Sequence, residues 1–275
     1  GFCSGVRVAD LRVRQFAGSG RCAAILGPVV HNERVVDEME ALGMRTVGSL
    51  DEITEATVVF SAHGVPPSFH DVARARGLEV LDTTCTFVTD IHEESHAALA
   101  DGCHLVFIGD PGHREVVSYT HDLDPESYHT VSTLDDARAV DWTAYDRIRV
   151  FFQTTLNASD FEEVVRHIET VHPDTSRADT ICYATKQNQD AARELVQHPE
   201  VEIVVVIGGT RSANTRHLWE IADRHKPSYL VQDPRDLDPE WLVGVSCVGL
   251  TAGASTPDTL IDEVEDAILA LGADR

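Results

Sequence analysis

Short runs of aliphatic and β-branched residues alternate along the chain with stretches whose apolar positions recur at helical spacing. The runs AAILGPVV (23–30), ATVVFSA (56–62), HLVFIG (104–109), IRVFFQ (148–153), EIVVVIG (202–208) and SCVGLTA (246–252) predict strands. Between them, DFEEVVRHIETV (160–171) and PDTLIDEVEDAILALG (257–272) predict amphipathic helices. Apolar runs alternating with helices are the pattern of βαβ units and parallel sheets.

The polar residues that stand out fall at the ends of these runs. The first leads into His31-Asn32, the second into His63-Gly64, and a third, LEVLDTT, into Cys85. The order then repeats: a strand into Gly112-His113-Arg114-Glu115, one into Thr154-Thr155, and a short ADTI into Cys182. The last third leads into Ser212-Ala213-Asn214 and then Ser255 but has no third cysteine of its own, unless Cys3 fills that place. His31 and His113 are 82 residues apart, as are Cys3 and Cys85, while Cys85 and Cys182 are separated by 97. The expected fold is therefore α/β: three similar lobes with small parallel sheets, arranged with pseudo-threefold symmetry around a central cavity. The boundaries expected are 1–20 for an N-terminal cysteine segment and helix, then 21–86, 87–182 and 183–275 for the lobes. Ligands of open parallel sheets bind beyond the carboxyl ends of the strands, which is where these residues lie.

Cys3, Cys85 and Cys182 each open a stretch that reads as a helix: CSGVRVADLRVRQF, CTFVTDIHEESHAALA and CYATKQNQDAARELV. The helix dipole and free amides at that position favour a thiolate. Three converging thiolates suit a metal site, with plain structural thiols as the alternative. Close CxxC pairs typical of four-cysteine zinc sites are missing, and sulfur-rich ligation also suits an iron–sulfur cluster. Cys22, Cys103 and Cys247 instead stand at the starts of strands, away from the cavity, and read as small buried apolar side chains. Histidines 70, 92, 96, 121, 129, 167, 172, 198, 217 and 225 fall mostly on helices or loops and read as surface residues.

The balance of 46 Asp and Glu against 22 Lys and Arg, a net charge of −24, argues against nucleic-acid binding, which needs a basic face. An anionic ligand would have to be met by strong local donors. No apolar run is long enough to span a membrane, and the first residues lack the apolar core of a signal peptide. The expected location is the cytoplasm, where six cysteines suggest metal or catalytic use rather than disulfides.

The stretches GFCSGV, VVHNERVVDEM, FSAHGV, DTTCTFVT, GHREV, QTTL, ADTICYATKQNQ, RSANT and TAGASTPD together resemble the 4-hydroxy-3-methylbut-2-enyl diphosphate reductase family, from Gly1 to about Leu271. The resemblance implies a trilobal fold with a central [4Fe–4S] cluster held by Cys3, Cys85 and Cys182, its fourth iron open to substrate. It implies that His31, His63, Ser212, Asn214 and Ser255 surround a diphosphate, with His113 on the same wall. Glu115 would be the proton source and Thr154 would position the substrate hydroxyl. The implied reaction removes an allylic hydroxyl to yield isopentenyl and dimethylallyl diphosphate. The implied electron donor is a ferredoxin or flavodoxin, and the enzyme would be a monomer or homodimer. The residue types suit this chemistry: His, Ser and Asn at strand-to-helix loops meet phosphate oxygens, and a carboxyl group can protonate a departing oxygen.

The chain departs from the family pattern in several places. Thr86 stands where a proline usually follows the second cysteine, Ala213 replaces a serine, and Asp110 replaces a histidine. The strand that normally leads into the first cysteine and the usual C-terminal tail are also missing. These changes leave two alternatives: a related reductase acting on another allylic or hydroxylated diphosphate, and a non-catalytic iron–sulfur sensor.

Overall fold

Strands form where the sequence is continuously apolar, and the computed structural model, which describes residues 1–273, shows why. Helix α1 (Ser4–Gly18) precedes a first sheet of β1 (Ala23–Leu26), β2 (Met44–Val47), β3 (Thr57–Phe60) and β4 (Glu79–Asp82), whose crossovers carry α2 (Glu33–Ala41) and α3 (Pro67–Ala75). After α4 (Thr86–Ala100) comes a second sheet of β5 (His104–Ile108), β6 (Tyr128–Val131), β7 (Ile148–Phe152) and β8 (Thr175–Arg177). Its crossovers hold α5 (Arg114–Thr120), α6 (Leu134–Arg138) and α7 (Glu162–Val171). Helix α8 (Tyr183–Gln197) leads to a third sheet of β9 (Ile203–Ile207), β10 (Ser228–Val231) and β11 (Val248–Ala252), with α9 (Ala213–Asp223) between its first two strands and α10 (Asp258–Ala273) after it.

The first two sheets share one strand order, β2-β1-β3-β4 and β6-β5-β7-β8, and the third has the same order less its fourth strand, β10-β9-β11. Pairing is parallel throughout, with registers such as Ala24 to Val58, Val106 to Val150 and Val205 to Leu250. Both faces of each sheet are covered, so the central strands are buried at every position instead of alternating. One face of the first sheet packs Ile25 and Val59 against α1 (Ala9, Val13), and the other packs Leu26 and Phe60 against α3 (Ala73). Burial of a Val, Ile or Phe of this kind stabilises by roughly 1.5–3 kcal/mol.

The helices that follow the cysteines cross between lobes. Helix α4 leaves β4 of the first sheet but packs Val88 and Ile91 on Leu105 and Phe107 of the second. Helix α8 leaves the second and packs Ala192 and Val196 on Val204 and Val206 of the third.

Several expectations need correction. ADTI (178–181) is not a strand: pairing stops at Arg177, and the Thr180 hydroxyl both accepts from Phe152 N (2.7 Å) and donates to Phe152 O (2.8 Å), taking the place of the ladder. The first strand ends at Leu26 because Gly27 turns the chain with φ +74°. Cys22 is exposed, since it lies in the connection between α1 and β1, outside the sheet, and Cys103 and Cys247 are half-buried. His172 is buried, its Nε2 2.8 Å from Tyr145 O. His70, His92, His129, His167 and His217 are half-buried, the pair His129 Nδ1 and His104 Nε2 lying 2.7 Å apart. Among the described residues no helix is long and apolar enough to cross a membrane.

Candidate active site

Each cysteine is placed by the same backbone bond. Cys85 N donates to Ala62 O (3.0 Å), Cys182 N to Thr154 O (3.1 Å) and Cys3 N to Ala254 O (2.9 Å). In each case the acceptor lies just past the third strand of a sheet: β3, β7 or β11. Cys3, Cys85 and Cys182 are the N-caps of α1, α4 and α8. The Cys3 sulfur accepts from Val6 N (3.5 Å), and that of Cys182 from Thr185 N (3.4 Å) with the Thr185 hydroxyl at 3.1 Å. The Cys85 sulfur makes no such capping bond. A Cβ at Gly5 would lie 2.7 Å from the Cys85 sulfur, so the start of α1 approaches that thiol as closely as a backbone can.

Cys85 and Cys182 differ from the expectation in charge. Burial pushes the Cys85 and Cys182 thiols above the ordinary cysteine range, and the neighbouring thiols and Glu115 push the same way. Desolvation outweighs the cap position, because the sulfurs face a narrow, largely apolar cavity.

That cavity has a volume of about 90 Å³, and Cys3, Cys85 and Cys182 line it together with His31, His63, His113, Glu115, Thr154, Ser212, Asn214 and Ser255. All the residues singled out in the sequence for chemistry therefore meet at one place. The three imidazoles cluster, with ring centroids 4.2 Å apart for His31 and His63, 5.6 Å for His31 and His113, and 6.1 Å for His63 and His113. Burial, then mutual repulsion, lowers His31 to about 4 and His63 well below its usual value; His113 falls to about 4 by burial. The rings are thus neutral at pH 7. Glu115 N donates to His113 Nδ1 (3.3 Å), which leaves the ring proton on Nε2.

Glu115 is 4% exposed. Its carboxylate accepts from Thr154 N (3.0 Å) and from the Thr154 hydroxyl, 2.9 and 3.0 Å from its two oxygens. Burial pushes the carboxyl up to about 7 against the opposing pull of those bonds. It is a group that holds or gives up a proton near neutral pH, which fits a general acid.

Other polar groups stand ready. Both amide atoms of Asn214 and Nε2 of His31 are buried without a hydrogen-bond partner, the mark of a site shaped for a polar ligand. The Ser212 oxygen caps α9 by accepting from Thr215 N (3.3 Å), leaving its proton free. Ser255 instead donates to His31 O (3.2 Å) and must exchange that partner to reach a ligand. Thr185, Thr155, Phe87 and Ala213 also line the cavity. Thr185 was legible as the third residue after a capping cysteine, whereas Phe87 carried no local signal. Among the described residues no three His, Cys, Asp or Glu side chains are gathered as a single metal ion would require.

Residues 1–269 match the LytB protein family. A 4-hydroxy-3-methylbut-2-enyl diphosphate reductase from Tolumonas auensis is 38% identical over 283 residues, covering 100% of this chain and 90% of its own length. A protein of the same name from Methylibium petroleiphilum is 38% identical, covering 99% of this chain and 84% of its own. Among solved structures, the E-1-hydroxy-2-methyl-but-2-enyl-4-diphosphate reductase from Plasmodium falciparum superposes with a TM-score of 0.90 at 25% identity, covering 97% of this chain and 84% of that one. A second, an (E)-4-hydroxy-3-methyl-but-2-enyl diphosphate reductase described as the terminal enzyme of the non-mevalonate pathway, has a TM-score of 0.70 at 34% identity, covering 98% and 96%.

Proposed function

Because the chain belongs to the LytB family of 4-hydroxy-3-methylbut-2-enyl diphosphate reductases, we propose that the cavity at the centre of its three sheets carries out that reduction. The substrate is (E)-4-hydroxy-3-methylbut-2-enyl diphosphate, and the products are isopentenyl and dimethylallyl diphosphate. The carbon–oxygen bond of the allylic hydroxyl breaks, the oxygen leaves as water, and two electrons and two protons are taken up. The observation that carries this reading is the Glu115–Thr154 pair, a carboxyl group tuned to about 7 in the same small cavity as three thiols.

The donor set fits an iron–sulfur group. Three sulfurs line one space, each at the N-cap of its own helix, and Gly5 omits the side chain that would crowd Cys85. Cys3, Cys85 and Cys182 would hold a [4Fe–4S] cluster. When bound, that group would relay the two electrons one at a time and supply Lewis acidity.

The remaining roles belong to the chain. His31, His63, His113, Ser212, Asn214 and Ser255 receive the diphosphate as neutral donors. Asn214 and His31 come to it with buried polar atoms unpaired, so no existing bond is lost on binding. Thr154 orients the carboxyl of Glu115 and the substrate hydroxyl. Glu115 gives its proton to the departing oxygen. The electrons come from a ferredoxin or flavodoxin in the cytoplasm. We draw the lobe boundaries near residues 86 and 182, where α4 and α8 pass from one sheet to the next.

Of the alternatives, a different allylic substrate is not favoured, given relatives of one name at 36–38% identity along nearly the whole chain. Nor is a sensor, which has no use for a buried carboxyl beside its thiols. The test is anaerobic reconstitution with iron and sulfide, then assay with the substrate and a low-potential reductant. Glu115→Gln should lower turnover about 10²–10⁴-fold while leaving the iron content and absorbance intact. No turnover by the wild-type protein with an intact cluster would refute the assignment.

A further inference from the structure

The reaction cavity borders a larger one of about 560 Å³, and His31 and His113 line both. With Val30, they lie where the two cavities meet. The walls of the larger cavity come from all three lobes, with Gly27, Glu33 and Asp37 from the first, Asp110 and Arg114 from the second and Arg211 from the third.

Its two arginines are unlike most in this protein. Most of the arginines pair with a carboxylate, as Arg34 does with Glu263 and Arg177 with Glu162 and Glu169. Arg114 bonds only weakly, to Leu26 O at 3.5 Å, and Arg211 makes no hydrogen bond or ion pair among the described residues. Glu33, Asp37 and Asp110 share the wall, and among the described residues none forms an ion pair with either arginine. Asp110 accepts from Gly112 N (2.8 Å), and Glu33 keeps a buried oxygen without a partner. Arg114 is nevertheless seated by design of the backbone: it lies over Gly27, where a Cβ would fall 2.0 Å from its guanidinium. Burial and then the charge of Arg211 lower its proton affinity, so the two cations lie within electrostatic reach of each other. Each also adjoins a proposed diphosphate ligand in sequence, His113 and Ser212.

The chemistry of the inner cavity supplies the reason for such a pair. Its histidines are neutral and its other donors are hydroxyls and an amide, so nothing inside balances the charge of a diphosphate. The chain as a whole carries −24 and repels it. We propose that the larger cavity is an entry vestibule in which Arg114 and Arg211 capture the diphosphate of the incoming substrate and hand it on, past His31 and His113, to the neutral donors within. This rests on the reading that those donors hold the diphosphate during reaction.

The test uses reconstituted enzyme, steady-state kinetics over a series of potassium chloride concentrations, and inorganic pyrophosphate as a competing probe. Arg211 is exposed, so its replacement leaves the core alone. Arg211→Gln should lower kcat/KM about tenfold at low salt, with a far smaller change in kcat. It should also flatten the fall of kcat/KM with salt and raise the inhibition constant of pyrophosphate in step. Arg211→Lys and Arg114→Lys, which keep the charge, should retain the salt dependence. Unchanged kcat/KM, or a salt dependence as steep as in the wild type, would overturn the vestibule. Asn214→Ala separates the two readings: it should raise KM with the salt dependence intact. If Asn214→Ala leaves KM alone while Arg211→Gln flattens the salt dependence, the inner-site reading fails and the vestibule stands.

Discussion

In the first two lobes the fourth strand of the sheet delivers the cysteine, β4 into Cys85 and β8 into Cys182, whereas beside the three-stranded third sheet the thiol comes from Cys3, some 250 positions away along the chain. The three sulfurs nonetheless line one cavity. What the lobes share is the bond from each cysteine N–H to the carbonyl just past the third strand, at Ala62, Thr154 and Ala254, and a helix that packs on the sheet of another lobe. For α1 that sheet is the first, where Ala9 and Val13 meet Ile25. The ring of three lobes thus closes through α1. The loops differ in kind: lobes one and two present imidazoles, and lobe three presents hydroxyls and an amide. Both are uncharged at neutral pH, by burial in one case and by nature in the other.

If the three corners are equivalent, they should fail equally. Replacing Cys3, Cys85 or Cys182 by alanine should abolish turnover and remove most of the iron in each case, measured by iron and sulfide content after anaerobic reconstitution. A Cys3→Ala protein that kept its iron would break the equivalence and mark the third corner as dispensable.

The second lobe alone carries the carboxyl group, and its pH behaviour sharpens that asymmetry. Glu115 is protonated below about 7 and ionised above it, so turnover should hold at lower pH and fall as the pH rises through about 7. The bonds from Thr154 favour the carboxylate. Thr154→Val should therefore move the alkaline limb of the pH–rate profile to higher pH. It should also slow turnover about 10- to 150-fold, since a hydrogen bond to a charged group is worth roughly 1.5–3 kcal/mol. A limb that stays in place would remove Thr154 from the proton path.

Gly5 tests how tightly α1 is docked. In a helix, alanine is favoured over glycine by about 0.8–1 kcal/mol, so Gly5→Ala should not lower the melting temperature of the iron-free protein through propensity. The new methyl group would meet the Cys85 sulfur at 2.7 Å, and overpacking of this sort costs about 1–3 kcal/mol. Iron retention on dilution should fall about tenfold, and full retention would show that α1 has room to move. The smallest expected effect is in the third lobe. Ala213→Ser adds a hydroxyl to the cavity wall, and one neutral hydrogen bond of about 1 kcal/mol should lower KM about fivefold.

Much of this was legible along the chain. AAIL, HLVFI and IVVVI are apolar at nearly every position because helices cover both faces of each sheet, and the polar residues at their ends mark the open edge. The cysteine stretches could be read as helices because a capping residue followed by a periodic run is a local signal. Other features were not legible. ADTI has strand composition, yet the Thr180 hydroxyl ends the ladder there. The position of a thiol at a helix start suggested a lowered proton affinity, and burial reversed it for Cys85 and Cys182. His172 looked like a surface residue because nothing near it in sequence shows that its Nε2 meets the Tyr145 carbonyl.

By itself the sequence determined the elements, their order in threes and the residue types at the strand ends. Hydrophobic period, capping and turn formation act over a few residues and are written locally. Only the tertiary structure decided that Cys3 stands beside β11, that burial raises Glu115 to about 7, and that Arg114 and Arg211 line one cavity without an ion pair. Charge and proton affinity depend on what displaces water around a group, and here those neighbours come from distant parts of the chain.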